Sequence, residues 1–114
     1  MVTIYHNPKC NSSRTALGLI REKGIEPTVV EYLKTPPTKA ELKAIVKRMG
    51  VSPRALLRTK EAPYAELKLE NPKLSDDQII EAMVAHPILI NRPIVVTKKG
   101  ARLGRPPETV LEVL

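Results

Sequence analysis

Aromatic side chains are nearly missing from this chain: it has no Phe, no Trp and only three Tyr in 114 residues. Single-stranded nucleic acid is gripped by stacking its bases on aromatic rings. The sequence offers no such platform, and it carries no zinc-finger or RNA-recognition signature. No nucleic-acid partner is expected, although the formal net charge is +7. That charge favours anionic partners without saying which. Apolar runs of the ~18 residues needed to cross a bilayer are also lacking, so no membrane partner is expected. The opening MVTIYHNPKC has neither the basic start nor the apolar centre of a secretory signal. The expected location is the cytoplasm.

Cysteine occurs once, as Cys10. A single cysteine excludes an internal disulfide. With His6 and His86 as the only histidines, a structural zinc site has too few ligands, and no metal is expected. In a reducing compartment the thiol stays free. It is then either a small buried apolar residue or a reactive group. Internal repeats, low-complexity segments and domain-splitting linkers are absent too, so residues 1–114 are expected to form a single domain.

What is present reads as an α/β protein. Val2 to Tyr5 is short, β-branched and apolar, which predicts a strand. After the turn His6-Asn7-Pro8-Lys9, Ala16, Leu17 and Ile20 recur at helical spacing from Asn11 or Ser12 to about Lys23, and Gly24 follows as a stop. Thr28 to Tyr32 is a second strand, completing a right-handed parallel unit. Thr38 with Glu41, and Ser75 with Gln78, form capping boxes that open two helices, the first ending at Gly50 and the second near Ala85. Ser52-Pro53 opens a short helix between them, which Arg58 ends. Ile94 to Thr97 is a strand, Lys98-Lys99-Gly100 a hairpin turn, and Ala101 to Leu103 the returning strand. Pro106-Pro107 leads into a closing helix from Glu108. Lys39, Lys43 and Lys47 share helical spacing and read as a solvated face. Without the middle helices the order is β-α-β…β-β-α. This predicts a thioredoxin/glutaredoxin-like mixed sheet with a helical insertion, about residues 38–91, between the second strand and the C-terminal hairpin.

Cys10 falls between the first strand and the first helix. Chemistry in open α/β sheets gathers at the C-terminal ends of strands. A helix N-terminus offers free N–H groups and partial positive charge, which favour a thiolate and an oxyanion beside it. Such placement can lower a thiol pKa from near 8.5 to about 3.5–7.5. The local string is H-N-P-K-C-N-S-S-R. Ser12 and Ser13 can cap the helix, donate to an oxyanion, or do both. His6 can support the thiolate or the loop. Ser13 stands where a C-x-x-C motif has its second cysteine, so a resolving thiol must come from outside, for instance glutathione. Arg14, Arg54, Arg58, Arg92, Arg102 and Arg105 are scattered, and any one can be a plain surface charge. Arg92 directly precedes Pro93 and the third strand. In thioredoxin-like folds the residue at this point faces the active thiol across a cis peptide bond. Guanidinium forks suit tetrahedral oxyanions, because they donate paired, charge-assisted bonds.

The stretches YHNPKCNSSR, RALLRTKEAPY, HPILINRPIVVTKKGARL and GRPPETVLEVL together resemble the glutathione/glutaredoxin-dependent arsenate reductase family, from Thr3 to the C-terminus. The resemblance implies a thioredoxin-like fold and an oxidoreductase. It implies Cys10 as the nucleophile, Arg58, Arg92 and Arg105 as the oxyanion-binding arginines, and His6 and Ser13 in supporting roles. It implies arsenate as substrate, glutathione as co-substrate, glutaredoxin as partner and no bound metal or organic cofactor. Two other functions fit the same fold. One is a thiol oxidoreductase acting on another substrate, such as a glutathionylated protein. The other is a transcriptional regulator that docks on RNA polymerase, against which Ser13 in place of a second cysteine weighs.

Overall fold

A computed structural model describes all of residues 1–114. The chain divides into two compact units, one of residues 1–35 and 92–114, the other of residues 36–91. The first unit carries a four-stranded mixed sheet of β1 (Thr3–His6), β2 (Thr28–Glu31), β3 (Ile94–Thr97) and β4 (Gly100–Leu103), in the order β2-β1-β3-β4. β1 runs parallel to β2 and antiparallel to β3, and β3 and β4 form the hairpin.

The helix α1 (Asn11–Glu22) covers one face of this sheet. Its buried residues Ser13, Ala16 and Ile20 are spaced by three and four, the interval of one helical stripe. Ile4 of β1, Val95 of β3, and Val110 and Val113 of a closing 3-10 helix (Pro107–Val113) complete that core with Ala16 and Ile20. Truncating such an Ile to Ala costs about 2–5 kcal/mol. α1 stops because Gly24 takes φ +76°, a backbone region that β-carbon sterics close to most residues. Its N–H returns to the Arg21 carbonyl at 2.9 Å.

The second unit is helical. α2 (Lys39–Met49) and α4 (Asp76–Ala85) open on complete capping boxes, Thr38 with Glu41 and Ser75 with Gln78. The two helices pack together and bury Leu42, Ile45 and Val46 from one, and Ile79, Ile80 and Met83 from the other. Between them lie a 3-10 turn (Pro53–Leu56) and the five-residue α3 (Ala62–Glu66), and a second 3-10 turn (Pro87–Leu89) follows α4.

The structure differs from the sequence reading in several places. The segment opened by Ser52-Pro53 ends at Leu56, two residues before Arg58. Leu57 is instead drawn into a bridge with Ile90, a partner that no local pattern reveals. The closing helix is of the 3-10 type and starts at Pro107. β1 runs one residue further than expected, to His6. Lys39 and Lys43 do not simply face solvent: Lys39 Nζ lies 2.7 Å from both Asp77 and Glu81, and Lys43 Nζ lies 3.1 Å from Asp77, tying α2 to α4.

Candidate active site

Cys10 is the N-cap of α1, with extended dihedrals (φ −98°, ψ 124°). Its N–H donates to the Asn7 carbonyl at 3.0 Å, and its carbonyl accepts the Arg14 N–H at 3.0 Å. The thiol therefore sits where the first-turn N–H groups of the helix have no intrahelical acceptor. It is 8 % exposed.

Burial alone pushes a thiol pKa up, because it penalises the charged form. At Cys10 that push is outweighed. The Ser13 N–H donates to the sulfur, the Arg92 guanidinium adds a hydrogen bond and its charge, and the Ser12 N–H donates as well, leaving the thiol below its ordinary value. Arg105 Nη1 stands 3.9 Å from the sulfur, near the outer limit for such a bond. Arg92 is thus one of the groups that lower the thiol.

Arg92 and Arg105 reach this point from two loops at the same end of the β3–β4 hairpin. Arg92 precedes Pro93 at the head of β3, and Arg105 precedes Pro106 just beyond β4; both peptide bonds are cis. Arg105 Nη1 also donates to the Arg92 carbonyl at 3.3 Å. Gly104 lets the two segments touch. Its N–H donates to the Pro93 carbonyl at 2.8 Å. A β-carbon at this position would lie 2.8 Å from Pro93 Cγ and 3.0 Å from Val110 Cγ1.

Ser13 neither caps α1 nor faces solvent. It is fully buried, and its Oγ accepts the Asn7 N–H at 3.0 Å and lies 2.6 Å from His6 Nδ1. Burial holds the His6 pKa below its ordinary value, with the charges of Arg21 and Arg14 acting the same way and Glu31 opposing them. A neutral imidazole can accept the Ser13 hydroxyl proton at Nδ1. His6 and Ser13 thus brace the turn from Asn7 to Cys10. Ser12 contributes through its main chain. Arg58 belongs to the other unit, where its Nη1 lies 3.2 Å from Glu61. Its N–H donates to the Leu89 carbonyl at 2.8 Å, and the Asn91 N–H donates to the Leu56 carbonyl at 2.8 Å.

Two residues escaped the sequence reading as contributors. Arg14 folds back from α1, donating to the Pro8 carbonyl at 2.7 Å and to Asn11 Oδ1, on either side of Cys10. Its only signal was a place one helical turn after the cysteine. Gly104 had none, since its role depends on a non-local contact. No cluster of three His, Cys, Asp or Glu side chains is placed to hold a metal ion. No helix is long and apolar enough to cross a membrane.

A model of the ArsC family matches residues 5–113. An arsenate reductase of Escherichia coli (strain K12) is 57% identical over 99% of this chain and 80% of its own length. The uncharacterized protein YfgD of the same strain is 51% identical over 99% of this chain and 96% of its own. Among solved structures, an arsenate reductase from Vibrio cholerae superposes with a TM-score of 0.95 at 52% identity, covering 99% of this chain and 97% of that one.

Proposed function

The chain belongs to the ArsC family, as an oxidoreductase of the arsenate-reductase type, and on that premise we propose that it reduces arsenate at Cys10, with electrons supplied by glutathione and glutaredoxin. The observation that carries this reading is the sulfur of Cys10 at the α1 N-terminus. It receives the Ser12 and Ser13 N–H groups and the Arg92 guanidinium, and Arg105 stands beside it. The same donors that favour a thiolate suit a tetrahedral oxyanion.

In the proposed reaction arsenate binds against Arg92 and Arg105. The Cys10 thiolate attacks arsenic and displaces one oxygen, which leaves as water once protonated, so arsenic stays five-valent. Glutathione, as its thiolate, displaces a second oxygen in the same way. A glutaredoxin thiolate then attacks the glutathione sulfur. The sulfur–arsenic bond breaks with its electron pair going to arsenic, which becomes three-valent, while glutaredoxin and glutathione are left joined by a disulfide. Water displaces Cys10 from arsenic, and arsenite leaves. His6 and Ser13 act on the loop rather than on substrate. The chain needs no bound cofactor in this scheme, because the reducing equivalents arrive as thiols. We place the reaction in the cytoplasm, where thiols are kept reduced.

The test is NADPH oxidation coupled through glutathione reductase, with glutathione, glutaredoxin and arsenate present. Arsenate-dependent oxidation that disappears in Cys10→Ser is expected. A Cys10→Ser protein that turns over like the unmodified chain overturns the assignment.

A further inference from the structure

A cleft of about 210 Å³ opens beside the turn that carries Cys10, at the C-terminal ends of β1 and β2. His6, Asn7, Lys9, Glu31, Leu33 and Lys34 line it. The arsenic chemistry at Cys10 does not use Lys9, Glu31, Leu33 or Lys34. Their charges are mixed and close together: Lys34 Nζ lies 3.5 Å from a Glu31 carboxylate oxygen, and the Glu31 and Lys34 side chains are 42% and 79% exposed. Lys9 and Leu33 are exposed as well. An exposed leucine among exposed charges, over a concave surface, can pack an aliphatic stem while the charges meet its polar ends.

We propose that this cleft binds the γ-glutamyl end of the peptide thiol that serves as co-substrate. The inference rests on the reading of the chain as a glutathione-using reductase. The γ-glutamyl end is an α-amino acid, with an ammonium and a carboxylate on one carbon. Glu31 suits the ammonium, and Lys9 and Lys34 suit the carboxylate. The glycine end of the tripeptide carries only a carboxylate and leaves Glu31 without a role. The cleft is below the ~300 Å³ at which pockets for whole drug-sized ligands begin, so it takes one end of the peptide rather than all of it. The remainder points toward the nucleophile. Asn7 lines the cleft, and its carbonyl is 3.0 Å from the Cys10 nitrogen. A γ-glutamyl-cysteine extension spans roughly 7 Å at about 3.3–3.6 Å per residue, and it would run along the turn from Asn7 to Cys10.

The probe is S-methylglutathione, which binds without reacting, titrated into the full chain and followed through backbone amide NMR shifts. Shifts concentrated at residues 6–9 and 31–34 are expected, with N-acetyl-S-methylcysteinylglycine binding about tenfold or more weakly because it has no ammonium and no α-amino-acid carboxylate beside one. The Lys9→Gln, Lys34→Gln double variant should lose binding and raise the glutathione KM about tenfold, a larger change than any in the arsenate KM or the Cys10 alkylation rate. Glu31→Gln should weaken S-methylglutathione but not its N-acetylated form, which has no ammonium. Shifts that map elsewhere, or equal binding of the two thioethers, overturn the inference, and that measurement on the unmodified chain needs no variant to fold. Reduction of arsenate with an unchanged glutathione KM in the double variant overturns the cleft alone. Binding in the cleft by a protein that does not reduce arsenate supports the cleft and overturns the reading on which it rests.

Discussion

At Cys10 two opposing effects meet, and their balance is measurable. Burial raises the thiol pKa, while the Ser13 and Ser12 N–H groups and Arg92 lower it by more. The pH profile of iodoacetamide labelling should inflect below about 8.5, the value of an unperturbed thiol. The same shift makes stability depend on pH. Between the folded and unfolded pKa values the unfolded chain holds more protons, so stability rises with pH there and is lost as pH falls through the folded value. Urea unfolding of Cys10→Ser should lack this slope. Arg92→Ala removes a charge-assisted bond worth about 1.5–3 kcal/mol, roughly tenfold to a hundredfold in rate or affinity. It should weaken arsenate use and raise the Cys10 inflection together. Arg92→Lys should restore only part, since lysine lacks the planar fork. Arg48, on the exposed side of α2, is the control. Equal kinetics and equal thiol titration in Arg92→Ala and Arg48→Ala would remove Arg92 from the site.

At the scale of elements, what could be read in advance was whatever depends on neighbours in sequence. Both capping boxes, the stop at Gly24 and the left-handed turn at Gly50 are local, and the structure carries all four. The end of the Pro53 segment was misread because Leu57 answers to Ile90, 33 residues away. α3 and the turn at Pro87–Leu89 are too short to show a period. The same division runs through the site. A cysteine at a strand-to-helix junction is visible in a string of residues, as is an arginine before a proline at a strand. The inward turn of Ser13 onto His6 is not, because it depends on a contact between the end of β1 and α1 across the turn. Gly104 was invisible for the same reason, and it sets an expectation of its own. Gly104→Ala drives a methyl group against the rigid Pro93 ring, and overpacking of this kind costs about 1–3 kcal/mol. Because Pro93 and Gly104 adjoin Arg92 and Arg105, this variant should also slow Cys10 alkylation, with the melting temperature and the labelling rate falling together. A stable, normally reactive Gly104→Ala protein would mean that the two segments need no such close approach.

For the molecule as a whole, the +7 charge is unevenly divided. The unit of residues 1–35 and 92–114 holds ten of the 19 basic residues but only five of the 12 acidic ones, so most of the excess lies with the thiol. Anions are drawn to such a surface over distances that salt shortens, to about 8 Å at physiological ionic strength. Added sodium chloride should therefore lower kcat/KM for arsenate, while labelling of Cys10 by uncharged iodoacetamide changes less. A salt response equal for the charged and the neutral reagent would place the effect on the thiol itself and not on the approach of the anion. The bond from Arg105 Nη1 to the Arg92 carbonyl carries a different consequence, one of inheritance rather than of attraction. A guanidinium anchored to another arginine's main chain depends on where that residue's backbone lies, and hardly on which side chain it carries. Loss of Arg92 by mutation would leave Arg105 still docked on its carbonyl, whereas a shift of the Arg92-Pro93 backbone would dislodge both cations at once. Drift in such a lineage can erode the site one charge at a time through the side chains, but a change at Pro93 or Gly104 would disturb both cations together.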